Sequence, residues 1–430
     1  MKVLIAVWGN PEGWKEIKYE YQGLTERAKS TINLIKQVEN PDKIVIICVD
    51  TLADTNIKSN QSYCEIKNEA EKVISDFCTN HFSIQPDKVI VGYGVGEFKN
   101  TKFIGNAQDF YYEVLKELSL LLGEAIRELK EERKIEVVFD ITHGINYMPT
   151  LTYRALREIL QILAYTYDVE LKVLNSDPFI GQVNPEKLNI NVIEYTKILP
   201  YLAAYRSDKR PIEPRKDHKN YGQIIDNLLR QINYAKPKIH IFLSAFIHAM
   251  PVFIISYIMN SQNIKNLINQ ISQEFEKFIM INKNQKIIVE RNLEYRIEFE
   301  NLIKTYLVSL ILEVKGFSSK TDIPLTDIQR LRNEVFNNLE VESNRIDKEV
   351  VDIKQLQNIQ QQYQVYAQLL NKQIQNQIDK RNFFAHAGFE HNVIELRMNN
   401  SNNVIELRIN QLLAQQAENL LENALKKKNV

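Results

Sequence analysis

Arg381, Asn382 and His386 fall within six positions of RNFFAHAGFE, residues 381–390. On an α-helix Asn382 and His386 share a face, whereas Arg381 and His386 are five apart and lie about 140° around the axis. An arginine's reach closes that gap, as would a helix that loosens before Gly388, a residue type suited to a C-terminal break. Guanidinium and imidazole side by side suit phosphoryl chemistry on RNA. Histidine moves the proton of a 2′-hydroxyl or of the leaving oxygen, and arginine steadies the charge on the phosphate. No metal is needed for such a step. The same spacing also occurs at solvated helix ends, so this stretch by itself leaves both readings open. A zinc site on His386 and His391 is the poorer reading, because no cysteine or third histidine lies nearby in the sequence. His81, His218, His240 and His248 are isolated and are expected at the surface or in packing.

A second group of residues could hold a ligand. WGNPEGW, residues 8–14, follows one apolar run, and THGIN, residues 142–146, follows another and leads into a helical pattern starting near Pro149. Small residues let backbone amides approach a ligand, and a helix start offers free amides to an anion. Thr142, His143 and Asn146 add side-chain groups, and Trp8 could stack on a base. Gly9 and Gly144 also read as turn glycines, Trp8 as a packing residue, and Asp140 as a strand-end carboxylate that caps the next turn. GYGVGEF, residues 92–98, fails the G-x-G-x-x-G spacing, so a dinucleotide cofactor finds little support.

The elements that must position these residues are legible in outline. Val- and Ile-rich runs from Lys2, Lys43, Asp87, Lys134 and Val169 read as strands covered on both faces. Helical patterns around 24–38, 63–79, 107–133 and 149–166 lie between them, and that alternation argues for a parallel sheet with helices on both sides. In such sheets ligands bind beyond the carboxyl ends of the strands, and both candidate loops fall on that edge. RSDKRPIEPRKDHKN, from residue 206, is charged, carries two prolines and lacks an apolar period, so it reads as a linker. The rest reads as mostly helical, with TDIQ at 326–329 as a capping box and Ile359, Tyr363, Tyr366, Leu370, Ile374 and Ile378 as one helical stripe. NVIELR occurs at 392–397 and again at 403–408 around an Asn-rich turn, which predicts a β-hairpin. A last helix from about Leu412 should end in the lysines at 426–428.

A chain of 430 residues suits two or three domains, and two is the simpler division. The 54 basic and 54 acidic residues cancel, so nothing marks a dedicated duplex-DNA binder, and any nucleic-acid contact must be local. Cys48, Cys64 and Cys78 are odd in number and lack metal-type spacing, which suits a reducing interior. The N-terminal run reads as a strand with no cleavage site of a signal peptide. IFLSAFIHAMPVFIISYI, residues 241–258, is long and apolar enough for a membrane span. His248, Pro251, Ser244 and Ser256 interrupt it, and a helix buried on all sides has the same composition.

The opening WGN together with DITHGIN, residues 140–146, resembles the ligand pocket of CRISPR-associated Rossmann-fold (CARF) domains, and RNFFAHAGFE resembles the Arg-Asn-x-x-x-His signature of HEPN ribonucleases. The combination resembles the CARF-HEPN ancillary ribonucleases of type III CRISPR systems and spans essentially the whole chain. The fold implied is α/β plus all-α. A Rossmann-like parallel sheet over 1–200 and a linker or small element over 201–240 precede a mostly helical HEPN domain with a small β-hairpin over 241–430. Residues 206–240 match least, and some members place a winged-helix element there. The stretch 241–258 becomes a core helix of the HEPN domain, and a cytoplasmic protein without a membrane span is implied.

What the resemblance implies functionally is a homodimer or higher homo-oligomer. Its CARF pair binds a cyclic oligoadenylate, most often cyclic tetra-adenylate, and the ligand activates single-stranded RNA cleavage at a site formed by both HEPN domains. Arg381 and His386 would be the catalytic pair and Asn382 a supporting polar group. Trp8, Gly9, Asn10, Thr142, His143, Gly144 and Asn146 would be the ligand-pocket candidates. Members typically cut without metal or other cofactor and leave a 2′,3′-cyclic phosphate. A ligand-sensing regulator that binds nucleic acid without cutting it is the alternative, and slow cleavage of the cyclic ligand in its own pocket stays open.

Overall fold

The computed structural model describes residues 1–54, 57, 61–129, 134–179, 186–215, 221–231, 234–283, 285–399, 401 and 403–427. His218 and Lys428 lie outside these residues, as do the last five residues, 216–220, of the charged segment that starts at residue 206. The chain divides into two compact units. Residues 1–199, 212–225 and 269–295 make the first, and 200–211, 226–268 and 296–430 the second. Each is therefore discontinuous in sequence, unlike the consecutive division at 200 and 240 expected above.

In the first unit the strands are β1 (Lys2–Val7), β2 (Ile17–Tyr21), β3 (Leu24–Ala28), β4 (Lys43–Val49), β5 (Lys88–Gly92), β6 (Thr101–Ile104), β7 (Lys134–Asp140), β8 (Asp168–Ser176), β9 (Leu188–Ile198) and β10 (Ile287–Arg291). All but β6 and β10 form an eight-stranded sheet in the order β3-β2-β9-β8-β7-β1-β4-β5. From β8 to β5 every neighbour is parallel. The chain runs outward from β1 through β4 to β5 and then returns to β7 and β8 on the other side. The winding thus reverses between β1 and β7, the place where such sheets open a crevice at their carboxyl edge. Val3 to Val7 and Phe139 are fully buried, which accounts for the unbroken apolar runs.

Helices α1 (Ile32–Glu39), α2 (Tyr63–Phe82), α3 (Gln108–Glu128) and α4 (Met148–Leu163) also belong to this unit. Ser62 and Glu65 close a reciprocal capping box at the start of α2. Residues 24–28 were expected to begin a helix and instead form β3. A two-residue turn at Gln22 and Gly23, both at positive φ, returns the chain antiparallel to β2. Strand β9 was also not anticipated. Val192, Ile193 and Tyr195 stand exposed, so its pattern lacks the continuous burial that marked the others.

Residues 269–295 join the first unit because β10 pairs in parallel with β6. The fully buried Arg291 donates from Nη2 to the Gly94 carbonyl at 2.6 Å and lies 3.5 Å from the buried Asp50 carboxylate. Of the expected linker, 212–214 pair with 293–295 in the first unit, whereas 205–206 pair with 426–427 in the second. Lys426 and Lys427 thus form a short strand beyond the last helix and do not end it.

The second unit contains α5 (Lys236–Ile247), α6 (Pro251–Tyr257), α7 (Ile297–Val314), α8 (Leu325–Glu334), α9 (Glu340–Lys354), α10 (Lys380–Ala385) and α11 (Ala414–Ala424), with the hairpin β11 (Ile394–Asn399) and β12 (Val404–Ile409). The apolar stretch 241–258 is two helices. Ala249 at positive φ and Pro251, which has no N–H to donate, separate α5 from α6, and the side chains on both are largely buried. Among the described residues no helix is long and apolar enough to cross a membrane.

The hairpin forms where the repeat predicted it, tied across by Arg397 to Glu406 and Arg408 to Glu395, each at 2.6 Å. Two other expectations change. Helix α8 starts at Leu325 after Pro324 with no side-chain cap, so TDIQ lies inside its first turn and makes no capping box. The stripe from Ile359 to Ile378 is not a helix. It holds a two-residue strand at 364–365 and a single helical turn at 366–369, with Asn358 and Asn371 at positive φ breaking it on either side. Asparagine tolerates that conformation, and a Gln- and Asn-rich stretch gains little from helix propensity.

Candidate functional site

The RNFFAHAGFE stretch builds a very short helix with a fixed end. Asp379 caps α10, accepting from the Asn382 backbone N–H at 3.0 Å and from the Asn382 side chain at 3.1 Å. His386 follows the last helical residue, and Ala387 and Gly388 both take positive φ so that the Gly388 N–H donates back to the Phe383 carbonyl. Arg345 of α9 donates to the carbonyls of Phe384 and His248 at 2.9 and 3.1 Å, a cation placed on the negative end of α10.

That geometry delivers His386 to Glu349, also on α9, with Nδ1 2.7 Å from Oε1. The Glu349 side chain is 6% exposed and that of His386 41%. Burial pushes the Glu349 carboxyl above its usual range, and the neighbouring imidazole opposes the shift. An ionised carboxylate only accepts, so Nδ1 carries the proton and Nε2 is left for other work.

Asn382 and His386 line one cavity of about 460 Å³, together with Glu349, Asp352, Tyr366 and Phe389. Arg381 is exposed, its guanidinium makes no hydrogen bond among the described residues, and it does not line that cavity. The Asn382–His386 pairing expected from helical spacing is present, although His386 sits one step beyond the helix. Glu349 was missed. It lies 37 residues upstream in a mixed polar helix, and no local spacing signals it.

In the first unit a cavity of about 540 Å³ opens beside the loops after β1 and β7, lined among others by Trp14, Lys15, Lys29, Thr142, His143 and Gly144. The two loops are joined by the Gly9 N–H donating to the His143 carbonyl at 2.9 Å. Asp140 caps its turn as anticipated, accepting from the Thr142 N–H at 3.0 Å and the Thr31 hydroxyl at 2.6 Å. The His143 ring stacks on Trp14 at 3.9 Å between centroids, and its buried Nε2 has no hydrogen-bond partner among the described residues. Burial pulls the His143 pKa down to about 4, so the ring is neutral near pH 7. Positive charge at this cavity comes instead from Lys15 and Lys29. Among the described residues its one lining carboxylate, Asp177, is committed to the Asn189 backbone and to the amides of Asn189 and Asn191.

Of the seven residues proposed for this pocket, Thr142, His143 and Gly144 line the cavity. A Cβ at Gly144 would come within 2.4 Å of Pro149, so a glycine is also required there for packing. Trp8 is fully buried with its ring edge-on to Trp14 and Phe77 and has no face open to a ligand. Gly9 ties the loops, exposed Asn10 caps the turn at Pro11–Gly13, and exposed Asn146 takes positive φ. None of Trp8, Gly9, Asn10 and Asn146 lines the cavity. Trp14, in the same WGNPEGW stretch, lines the cavity. It follows the Asn-Pro-Glu-Gly turn, which lifts it out of the strand's burial.

Comparison with known proteins gives these two regions a common context. Residues 3–178 match the model of the CARF domain of CRISPR system endoribonuclease Csx1, and residues 339–411 match that of its HEPN domain. The chain is 32% identical to the CRISPR system endoribonuclease Csx1 of Methanocaldococcus jannaschii, over 94% of this chain and 89% of that protein. The chain belongs to the Csx1 family. Its CARF-domain match takes in both loops of the first cavity, and its HEPN-domain match takes in Glu349 and the whole Arg381–His386 motif.

Proposed function

We propose that this protein is a CRISPR-associated endoribonuclease that cuts single-stranded RNA without a metal ion and is switched on by a cyclic oligoadenylate, with cyclic tetra-adenylate the expected activator. The observation that carries the reading is the Glu349–His386 pair, 2.7 Å apart, opening on a cavity beside Asn382. With its Nδ1–H given to Glu349, the imidazole offers Nε2 to a ribose 2′-hydroxyl. The 2′-oxygen bonds to the adjacent phosphorus as the P–O5′ bond breaks, the imidazolium that took the 2′-hydroxyl proton gives it to the leaving 5′-oxygen, and a 2′,3′-cyclic phosphate remains. Arg381 supplies the guanidinium that steadies charge on the phosphate. Its exposure and lack of a partner support a site completed by a second copy of the chain, hence a homodimer or larger homo-oligomer.

The sensing role belongs to the first unit. Lysines at the rim suit phosphates, and the Trp14–His143 stack suits an adenine face. A ligand activates only by binding the cutting-competent arrangement more tightly than the idle one, and a two-fold cyclic ligand suits a two-fold pair of pockets.

The test is cleavage of a fluorophore-quencher RNA in EDTA, with and without cyclic tetra-adenylate, beside a His386→Ala control, with the product ends identified by mass spectrometry. Activator-dependent cutting that needs His386 and leaves cyclic phosphate ends is the expected result. Binding of the activator and of RNA with no cutting would favour a regulator that reads nucleic acid without cleaving it.

A further inference from the structure

Beyond His386 and Glu349, the cavity of the second unit has a lining that the cutting chemistry leaves unused. Leu356, Leu370 and Phe389 give it an apolar side. Tyr366, only 4% exposed, contributes a hydroxyl with no hydrogen-bond partner among the described residues. Three carboxylates face the same space, and their commitments differ. Glu349 holds His386. Glu390 accepts from the backbone and side-chain amides of Asn392, each at 2.9 Å. Asp352, one turn along α9 from Glu349 and therefore on its face, is exposed, and its carboxylate accepts no hydrogen bond among the described residues.

These carboxylates decide what part of an RNA the cavity can take. A phosphodiester carries a full negative charge and would be repelled from a space edged by Glu349, Asp352 and Glu390, even with Lys372 and His391 on the rim. A nucleobase is neutral and flat, and the apolar side made by Leu356, Leu370 and Phe389 suits its face. At about 460 Å³ the cavity is within the range that encloses small ligands, roughly 300–1,000 Å³. Sequence-selective recognition of RNA reads unstacked bases by their edges in such pockets. An ionised carboxylate accepts hydrogen bonds and cannot donate, so it favours a base edge that presents an amino group. Adenine, cytosine and guanine carry one, whereas uracil offers only its N3–H, flanked on both sides by carbonyl oxygens that repel a carboxylate.

Resting on the reading of this site as the cutting centre, we propose that the cavity beside His386 binds the base of the nucleotide whose 2′-hydroxyl attacks, and that Asp352 selects a base with an exocyclic amine over uracil. The Tyr366 hydroxyl is the second polar contact to that base and serves any of the four. Its loss weakens binding without changing the choice.

The experiment uses the full-length protein with cyclic tetra-adenylate in EDTA. Four RNAs, 2′-O-methylated except at one ribonucleotide, present A, C, G or U at the single position that can be cut, and kcat/KM is measured for each. Uridine is expected to be about tenfold or more below the best amino-bearing base. Asp352→Asn, whose amide can also donate, should bring the four within about threefold. Tyr366→Phe should raise KM for all four and keep the order. Equal rates on the four RNAs, or an unchanged preference in Asp352→Asn, would overturn the inference while leaving the ribonuclease reading intact. No cutting of any of them, nor of unmodified RNA, would overturn both.

Discussion

The two cavities are built by opposite strategies. In the first unit, regular parallel strands end at a common edge, and strand register fixes where Thr142 and His143 emerge. In the second, the residues proposed to cut sit on a six-residue helix and the turn that ends it, held from outside by Arg345 and Glu349 of α9. Their charges are also reversed. Lysines edge the first cavity, whose His143 is neutral and whose Asp177 is already occupied, whereas Glu349, Asp352 and Glu390 face the second. A nucleotide has a phosphate and a base, and each cavity suits one of them at its polar end. A sensor that grips phosphates and a cutter that grips a base beside its histidine would make different demands on one kind of polymer.

Substitutions at each cavity should therefore separate, and the largest effect is expected at His386. His386→Ala should lower the RNA cleavage rate by about 10²–10⁴-fold, with the affinity for cyclic tetra-adenylate unchanged by calorimetry. Loss of both would collapse the distinction between the regions. Arg381→Ala should cost about 10²–10³-fold in kcat, the size of one lost charge-stabilising donor.

Glu349→Gln sharpens the contrast further. The carboxyl of Glu349 is raised by burial, so acidification protonates it and removes the acceptor that orients His386. Activity of the native protein should fall on the acid side as this group protonates. Glu349→Gln, which cannot titrate, should be slower by roughly tenfold or more and lose that contribution to the pH–rate profile. An acid limb identical in the two proteins would show that Glu349 only packs.

On the first unit, Trp14→Ala should raise the activator concentration needed for half-maximal cutting by about tenfold, the scale of one lost base–aromatic stack, with the same plateau. Trp8→Phe should leave that concentration unchanged, since Trp8 is fully buried. The smallest effect concerns stability. His143 has a folded-state pKa of about 4, below its usual value near 6.5, so the unfolded chain binds more protons between those pH values. Stability should be complete above about pH 6.5 and decline by roughly 2–3 kcal/mol towards pH 4, and His143→Gln should flatten that part of the thermal-denaturation profile.

How much of this the sequence disclosed follows from the same contrast. Continuous burial makes a parallel strand read as an apolar run, so the five mutually parallel strands and the carboxyl-edge loops were legible. The hairpin at β11 and β12 was legible because its two halves are nearly the same string. Strand β9, half exposed, carries no such run, and β3 was masked by a polar sequence, LTERA, that suits a helix as well. The stripe from Ile359 to Ile378 had helical spacing without helical chemistry, since local turns at asparagine outcompeted it. At the sites, motif spacing drew attention to Arg381, Asn382 and His386, but Glu349, the partner of His386, is a tertiary neighbour. Trp8 was named as a pocket candidate and Trp14, which lines the cavity, was not, for a related reason. Both tryptophans belong to one short stretch, and only the fold reveals which is interior.

Dependence of the cleavage rate on cyclic tetra-adenylate concentration, measured in EDTA on single-stranded RNA, tests the central claim most directly. The expected result is a low basal rate that rises to a plateau, with the midpoint moved by Trp14→Ala and the plateau abolished by His386→Ala. A rate that is the same at zero and saturating activator, or that survives the loss of His386, would contradict a ligand-gated ribonuclease.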